Sequence, residues 1–132
     1  MADKAAYGSG QAPIRCAVAT SDGFLVDQHF GRAKRFEVYE ALHGAAPLFI
    51  ETRRVQRACS GQGHDSSALD AVAERLGDCS FVIVAKIGPA ARAALIQRGI
   101  EAYEVVAEIE AAIEKVMAYR RMLAITDIFE EE

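Results

Sequence analysis

The sequence predicts an α/β domain in which one mixed five-stranded sheet carries helices on both faces, and three observations predict it. Apolar residues alternate with a period of two up to about residue 55, then recur with a period of about 3.6 from about residue 66. One run, FVIVA at residues 81–85, is apolar at every position, as in a strand covered on both sides. Strand and helix patterns then alternate to the end of the chain, an order that right-handed crossovers turn into helices packed on a sheet. With 132 residues, 52% of them hydrophobic and 26% charged, the chain suffices for one core and has no room for a second domain.

The elements follow in order. Residues 1–13 hold Gly8, Ser9, Gly10 and Pro13 without periodicity and are expected to form a flexible N-terminal arm, with the domain itself over 14–123. Ile14, Cys16, Val18 and Thr20 face one way and Arg15, Ala17 and Ala19 the other, a first strand that Ser21-Asp22-Gly23 stops. Residues 35–40 alternate Phe36 and Val38 against Glu37 and Tyr39, and residues 48–55 follow a short connection holding His43, Gly44 and Pro47. Three successive strands predict an antiparallel meander. After the stretch CSGQGHDSS, Leu69, Val72, Ala73 and Leu76 share one helical face, with Asp65 or Ser66 as its cap and Gly77 as its stop. Residues 81–85 are expected to be the central strand. Pro89 suits the first position of a short helix over 90–97, which Gly99 ends. Residues 100–106 form a last strand. Ile109, Ala112, Ile113, Val116, Arg120 and Leu123 trace the stripe of a final helix over 107–123, before a frayed acidic tail at 124–132. A ribonuclease H-like three-layer arrangement fits this order.

Charge and composition exclude several classes. A net charge of -4 gives no drive toward nucleic-acid backbones or anionic lipid. The N-terminus lacks the apolar core of a secretory signal, and no apolar run approaches the ~18 residues of a membrane span, so a cytoplasmic protein is expected. Cys16, Cys59 and Cys79 cannot all pair within one chain and read as thiols; Cys16 and Cys79 lie in apolar strand patterns and are expected in the core. His43 looks like a solvated turn residue.

The loop after the first strand places His29 in polar surroundings, two residues before Gly31. Two uses fit it: a hydrogen-bonded loop histidine with Phe30 tucked into the core, or a metal ligand. Cys59 opens Cys-Ser-Gly-Gln-Gly-His, so Cys59 and His64 flank a stretch across which their side chains can converge. Without a CxxC pair a closed zinc site does not follow; a Cys59 nucleophile activated by His64 and a loop thiol without a role remain open. Arg32, Lys34, Arg35, Arg53, Arg54 and Arg57 outnumber the acidic residues between Gln28 and His64, whereas from Glu101 onward the acidic residues dominate. The basic part favours an anion, as do Lys86 and the amides that open the helix after Gly88, although such cations also solvate strand edges.

Five pieces of the chain together carry a resemblance: VATSDG at 18–23, VDQHFGRAKRFEVYE at 26–40, Arg53-Arg54-Val55 with the Cys-x-Gly at 59–61, DCSFVIVAKIGPAAR at 78–92, and Gly99-Ile100. The chain resembles the dinitrogenase iron-molybdenum cofactor biosynthesis domain family, found in NifX and NafY proteins and as the C-terminal domain of NifB, from about residue 14 to 123. The Cys-x-Gly and AKIG elements pull it toward the NifB C-terminal type. The resemblance implies a ribonuclease H-like fold without that activity, and a non-catalytic role in binding and carrying an iron-sulfur cofactor precursor or iron-molybdenum cofactor among nitrogenase cofactor-assembly proteins. It implies His29 and Cys59 as cluster ligands, with Arg32, Lys34, His64 and Lys86 around the cargo. The radical-SAM cysteines of full-length NifB are missing, so that chemistry does not carry over. A docking domain that contacts an assembly enzyme without holding a cluster is the alternative. The chain is expected to be a monomer or a weak homodimer.

Overall fold

The computed structural model describes residues 12–57 and 66–130. Their elements are β1 (Ile14–Ala19), a 3-10 turn (Phe30–Arg32), β2 (Arg35–Ala41), β3 (Leu48–Arg54), α1 (Ser66–Arg75), β4 (Phe81–Val84), α2 (Pro89–Ile96), β5 (Glu101–Glu104) and α3 (Ile109–Glu130). One mixed sheet holds the five strands in the order β3-β2-β1-β4-β5. The expected meander is there: β1 pairs antiparallel with β2 and β2 with β3, while β4 lies parallel to both β1 and β5. A bulge between Val38 and Tyr39 shifts the β2–β3 register.

Alternation along the strands divides the core in two. Ala17, Ala19, Phe36, Val38, Val82 and Val84 face α1 and α2, and Leu69, Val72 and Ala73 of α1, with Leu76 just after it, answer them. On the other face, Cys16, Val18, Phe81 and Ile83 meet Ile109, Ala112, Ile113 and Val116 of α3. Each large side chain so enclosed contributes roughly 2 kcal/mol of hydrophobic stabilisation.

The sequence expectation departs from this arrangement in two places. Residues 81–84 are buried on both faces, as their composition requires, yet the middle of the sheet belongs to β1, with β4 beside it. β1 is equally enclosed, Cys16 to Ala19 being fully buried, but its α1/α2 face is built of Ala17 and Ala19, small enough that its pattern reads as one-sided. The last helix also continues past residue 123 to Glu130, because residues 124–130 contain neither Gly nor Pro to stop it. α1 starts at Ser66; the alternative cap, Asp65, lies outside the described residues, as do 1–11 of the N-terminal arm. No helix among the described residues is long and apolar enough to cross a membrane.

Candidate functional site

The parallel strands β1 and β4 end at the same edge of the sheet, and the segments leaving them are stitched together. The Ala85 N–H donates to the Gln28 carbonyl and the Phe30 N–H to the Lys86 carbonyl, each at 2.9 Å. His29 and Lys86 thereby form an isolated parallel bridge, which sets them side by side at about 5 Å, the spacing of neighbouring strands. Phe30 turns inward, fully buried, with its ring 5.7 Å from that of Phe36. His29 stays exposed and caps the 3-10 turn through its carbonyl, to which the Arg32 N–H donates at 3.1 Å. Both parts of the histidine's local pattern therefore coexist: the neighbouring phenylalanine anchors in the core, and the imidazole faces water without a side-chain hydrogen bond to any described residue.

The loop that delivers His29 is held by short polar side chains. Thr20 is buried, and its hydroxyl accepts from the Gly23 N–H at 3.0 Å. Asp22 accepts from the N–H groups of Leu25 at 2.9 Å and Phe24 at 2.8 Å, bonds that hold its carboxyl below the usual carboxylate range. Asp27 accepts from both the N–H and the hydroxyl of Ser21. Gly23 has a φ of +78°, and a Cβ there would lie 2.7 Å from Nη2 of Arg35. That arginine sits 3.1 Å from a carboxylate oxygen of buried Glu37 through its Nε, close enough for an ion pair but not aligned as a hydrogen bond. The second anchor is on the neighbouring strand: Glu104 accepts from the Ile87 N–H at 2.9 Å, pinning the turn between Lys86 and the start of α2.

Of the six residues that the sequence marks out for a cargo, the structure brings His29 and Lys86 together at this edge, with Arg32 and Lys34 exposed on the segment between His29 and β2. None of the four forms an ion pair with another described residue. Cys59 and His64 lie outside the described residues. β3 ends at this same edge, where the Val55 N–H donates to the Lys34 carbonyl at 2.8 Å, so the chain leading to Cys59 departs from beside the site. Cys16 and Cys79 are core thiols, each pushed up to about 12 chiefly by burial, and so stay protonated. His43 is exposed in the β2–β3 turn. Among the described residues no group of three or more His, Cys, Asp or Glu side chains could hold a metal ion.

Sequence reasoning missed Glu104 and the roles of Thr20 and Asp27. Ser21-Asp22-Gly23 does signal a turn, and the carboxylate at position 22 is its usual partner. Glu104 carries no local signal, since its link to Ile87 depends on the β4–β5 register.

An exposed imidazole, three exposed cations and a rigid backbone suit the reversible capture of an anion that accepts a nitrogen ligand. The family described as dinitrogenase iron-molybdenum cofactor matches residues 12–119. The chain is 43% identical over 108 residues to the FeMo cofactor biosynthesis protein NifB of Frankia alni, covering 80% of this chain and 21% of that protein. It is 28% identical over 102 residues to the protein NifX of Rhodobacter capsulatus, covering 75% of this chain and 64% of that one. The chain thus spans about a fifth of the length of that NifB relative. An NMR structure of a Thermotoga protein superposes with a TM-score of 0.55 at 17% identity, covering 80% of this chain and 88% of that one. A crystal structure from Methanocaldococcus jannaschii gives 0.51 at 12% identity, covering 78% and 86%.

Proposed function

The chain belongs to the dinitrogenase iron-molybdenum cofactor family, and from that premise we propose that it carries an iron-sulfur cofactor or its precursor during nitrogenase cofactor biosynthesis, binding it at the His29–Lys86 edge. The observation that carries this reading is the bridge itself: it fixes an exposed imidazole beside an exposed ammonium by backbone bonds alone, leaving both side chains for a cargo. His29 supplies the nitrogen ligand, and Lys86, Arg32 and Lys34 supply the field for an anionic cluster. Cys59 and His64 join as the second ligand and its neighbour, from the segment that leaves β3 beside the site. Few protein ligands and several exposed cations favour release to the next protein in the sequence, as befits a carrier acting with cytoplasmic assembly proteins rather than an enzyme. The strand order β3-β2-β1-β4-β5, with β2 antiparallel to β1, supports assigning the fold to the ribonuclease H-like group.

Anaerobic titration with an isolated iron-sulfur precursor tests the proposal. The expected result is stoichiometric uptake that falls ~100-fold in His29→Ala. The position of residue 29 is held by its neighbours' backbone groups, so the variant keeps the parent's melting temperature. Uptake that is unchanged in His29→Ala overturns it. It would then favour a docking domain that contacts an assembly enzyme without holding a cluster.

A further inference from the structure

β3 stands at one end of the strand order, and among the described residues only β2 pairs with it. The ladder fixes which of its backbone groups face outward. The Val55 N–H donates to the Lys34 carbonyl at 2.8 Å, so by alternation Val55, Arg53 and Glu51 turn their backbone groups toward β2, and Arg54 and Thr52 turn theirs away. Ile50 is the extra residue at the bulge, which makes Phe49 the next outward position. Phe49, Thr52 and Arg54 thus line an open edge, a template for another strand. The opposite edge of the sheet is partly closed. On β5, Glu101 and Val105 bond toward β4, which turns Ala102 outward, and Nη1 of Arg92 donates to the Ala102 carbonyl at 2.9 Å.

Side chains select the strand that fits the open edge. Glu51, Arg53 and Val55 lie on the α1/α2 side of the sheet with Phe36 and Val38, and alternation from Phe49 puts Leu48 there too. Phe49, Thr52 and Arg54 lie on the α3 side, where Phe49 meets Tyr39 edge-on and the Thr52 hydroxyl donates to buried Glu37 at 2.9 Å. Turned end for end about Thr52, this edge matches itself. Thr52 meets Thr52, and Glu51 of each copy meets Arg53 of the other. Across the bulge, Phe49 meets Arg54, a ring beside a cation, and Leu48 meets Val55. Both members of every pair lie on one face, and outward backbone groups meet outward ones. Centring on Arg54 instead would set two guanidinium groups against each other. We propose that the outer edge of β3 pairs antiparallel with the same edge of a second copy of this chain, about a two-fold axis at Thr52.

The two five-stranded sheets then run on as one. A two-fold axis makes each off-centre contact twice, so a modest pair counts double. Leu48 and Phe49, 62% and 49% exposed in the single chain, gain cover. Arg53 keeps its bonds to Asp78, and each Glu51 comes to lie between its own Arg53 and that of the other copy. A strand of unrelated sequence supplies the backbone bonds without these matched side chains, which is what favours a second copy as the occupant.

Sedimentation of the full chain over about a hundredfold range of concentration, with amide hydrogen exchange at both extremes, tests this. The mass is expected to rise from 14.3 kDa toward twice that value. The Thr52 and Arg54 amides become protected only as it rises, whereas those of Arg53 and Val55, bonded to β2, are protected throughout. Arg54→Glu is expected to raise the dissociation constant about tenfold, and Arg54→Glu with Phe49→Arg to restore it. Thr52→Pro loses the outward N–H and stays monomeric, while Thr52→Val, which loses the same bond to Glu37 but keeps that N–H, still dimerises. Far-ultraviolet circular dichroism identifies a variant that fails to fold; should Thr52→Pro be one, the exchange pattern and the charge swap decide. A mass that stays monomeric at every concentration overturns the proposal and leaves the edge to a strand of another protein. So does a dimer in which the Thr52 and Arg54 amides exchange freely, a folded Thr52→Pro that still dimerises, or a swap that fails to restore. His29→Ala leaves the mass unchanged, so this interface and the cargo site fail separately.

Discussion

The two ends of the sheet are built on opposite plans. At the carboxyl end of β1 and β4, position is set by backbone bonds and short polar caps, and the side chains of Arg32, Lys34 and Lys86 are exposed to water. Toward the amino end of β1 and β4, long charged side chains converge on Asp78 as the fastening, one of them, that of Arg53, reaching there from near the carboxyl end of β3. Arg53, largely enclosed, donates to both oxygens of Asp78 at 2.6 and 2.8 Å and to the Arg75 carbonyl at 2.7 Å, while Arg15 reaches the same carboxylate at 3.0 Å. One cluster thus ties β3 and the start of β1 to the end of α1. Charges that neutralise each other hold elements together; charges left facing solvent beside a rigid turn remain available for a visitor. The contrast separates the cations of this chain by role where composition alone counts them all alike.

The largest expected effect breaks the fastening end. Asp78→Ala leaves the Arg53 guanidinium without its carboxylate and is expected to cost about 2 kcal/mol, discounted because Asp78 is itself part-exposed, which lowers the melting temperature by about 5–10 °C. Precursor uptake is expected to stay at the parent level. Hydrogen bonds from Arg53, then from Arg15, outweigh burial and hold the Asp78 carboxyl well below the usual carboxylate range. Its contribution is therefore complete above the unfolded value near pH 4 and is lost as the pH falls below it. Urea unfolding at a series of acidic pH values is expected to show a steeper loss in the parent than in Asp78→Asn. Equal slopes would remove this carboxylate from the fastening.

A smaller effect is expected at the opposite end from Gly23→Ala. The positive φ disfavours any side chain, and the new methyl group must displace the Arg35 guanidinium. A cost of about 1–2 kcal/mol follows, with uptake weakened because the same turn delivers His29. If stability falls but uptake does not, the turn is a structural closure only and the two ends differ less than their bonding implies.

How much of this was legible in the sequence follows from the range of the forces involved. Strand faces were legible because alternation is local: Cys16 and Val18 do part from Ala17 and Ala19. The middle of the sheet was not, since β1 earns its place through small alanines that admit the helices, a property of neighbours distant in sequence. The acidic composition after residue 123 masked a helix that lacks any stop signal. At the site, the exposed histidine beside an inward phenylalanine was visible as a pattern, whereas the joining of His29 to Lys86 and of Glu104 to Ile87 depends on strand register across the fold. Cys59 and His64 lie outside the described residues, so their convergence stays part of the proposal.

The smallest effect sharpens the comparison most. Lys86 contributes to the site twice, through a carbonyl that fixes Phe30 and through an ammonium that faces water. Substitution to alanine removes only the second. An exposed cation acting on an anionic cargo through solvent contributes less than about 1 kcal/mol, so Lys86→Ala is expected to weaken uptake only about threefold, with no change in melting temperature. Screening adds the signature: the difference between parent and variant is expected to shrink as salt rises, while the deficit of His29→Ala, a ligand lost and not a field, persists at every ionic strength. If the two variants respond to salt alike, imidazole and ammonium act by the same long-range attraction, and His29 is one more charge at this edge rather than the group that grips the cargo.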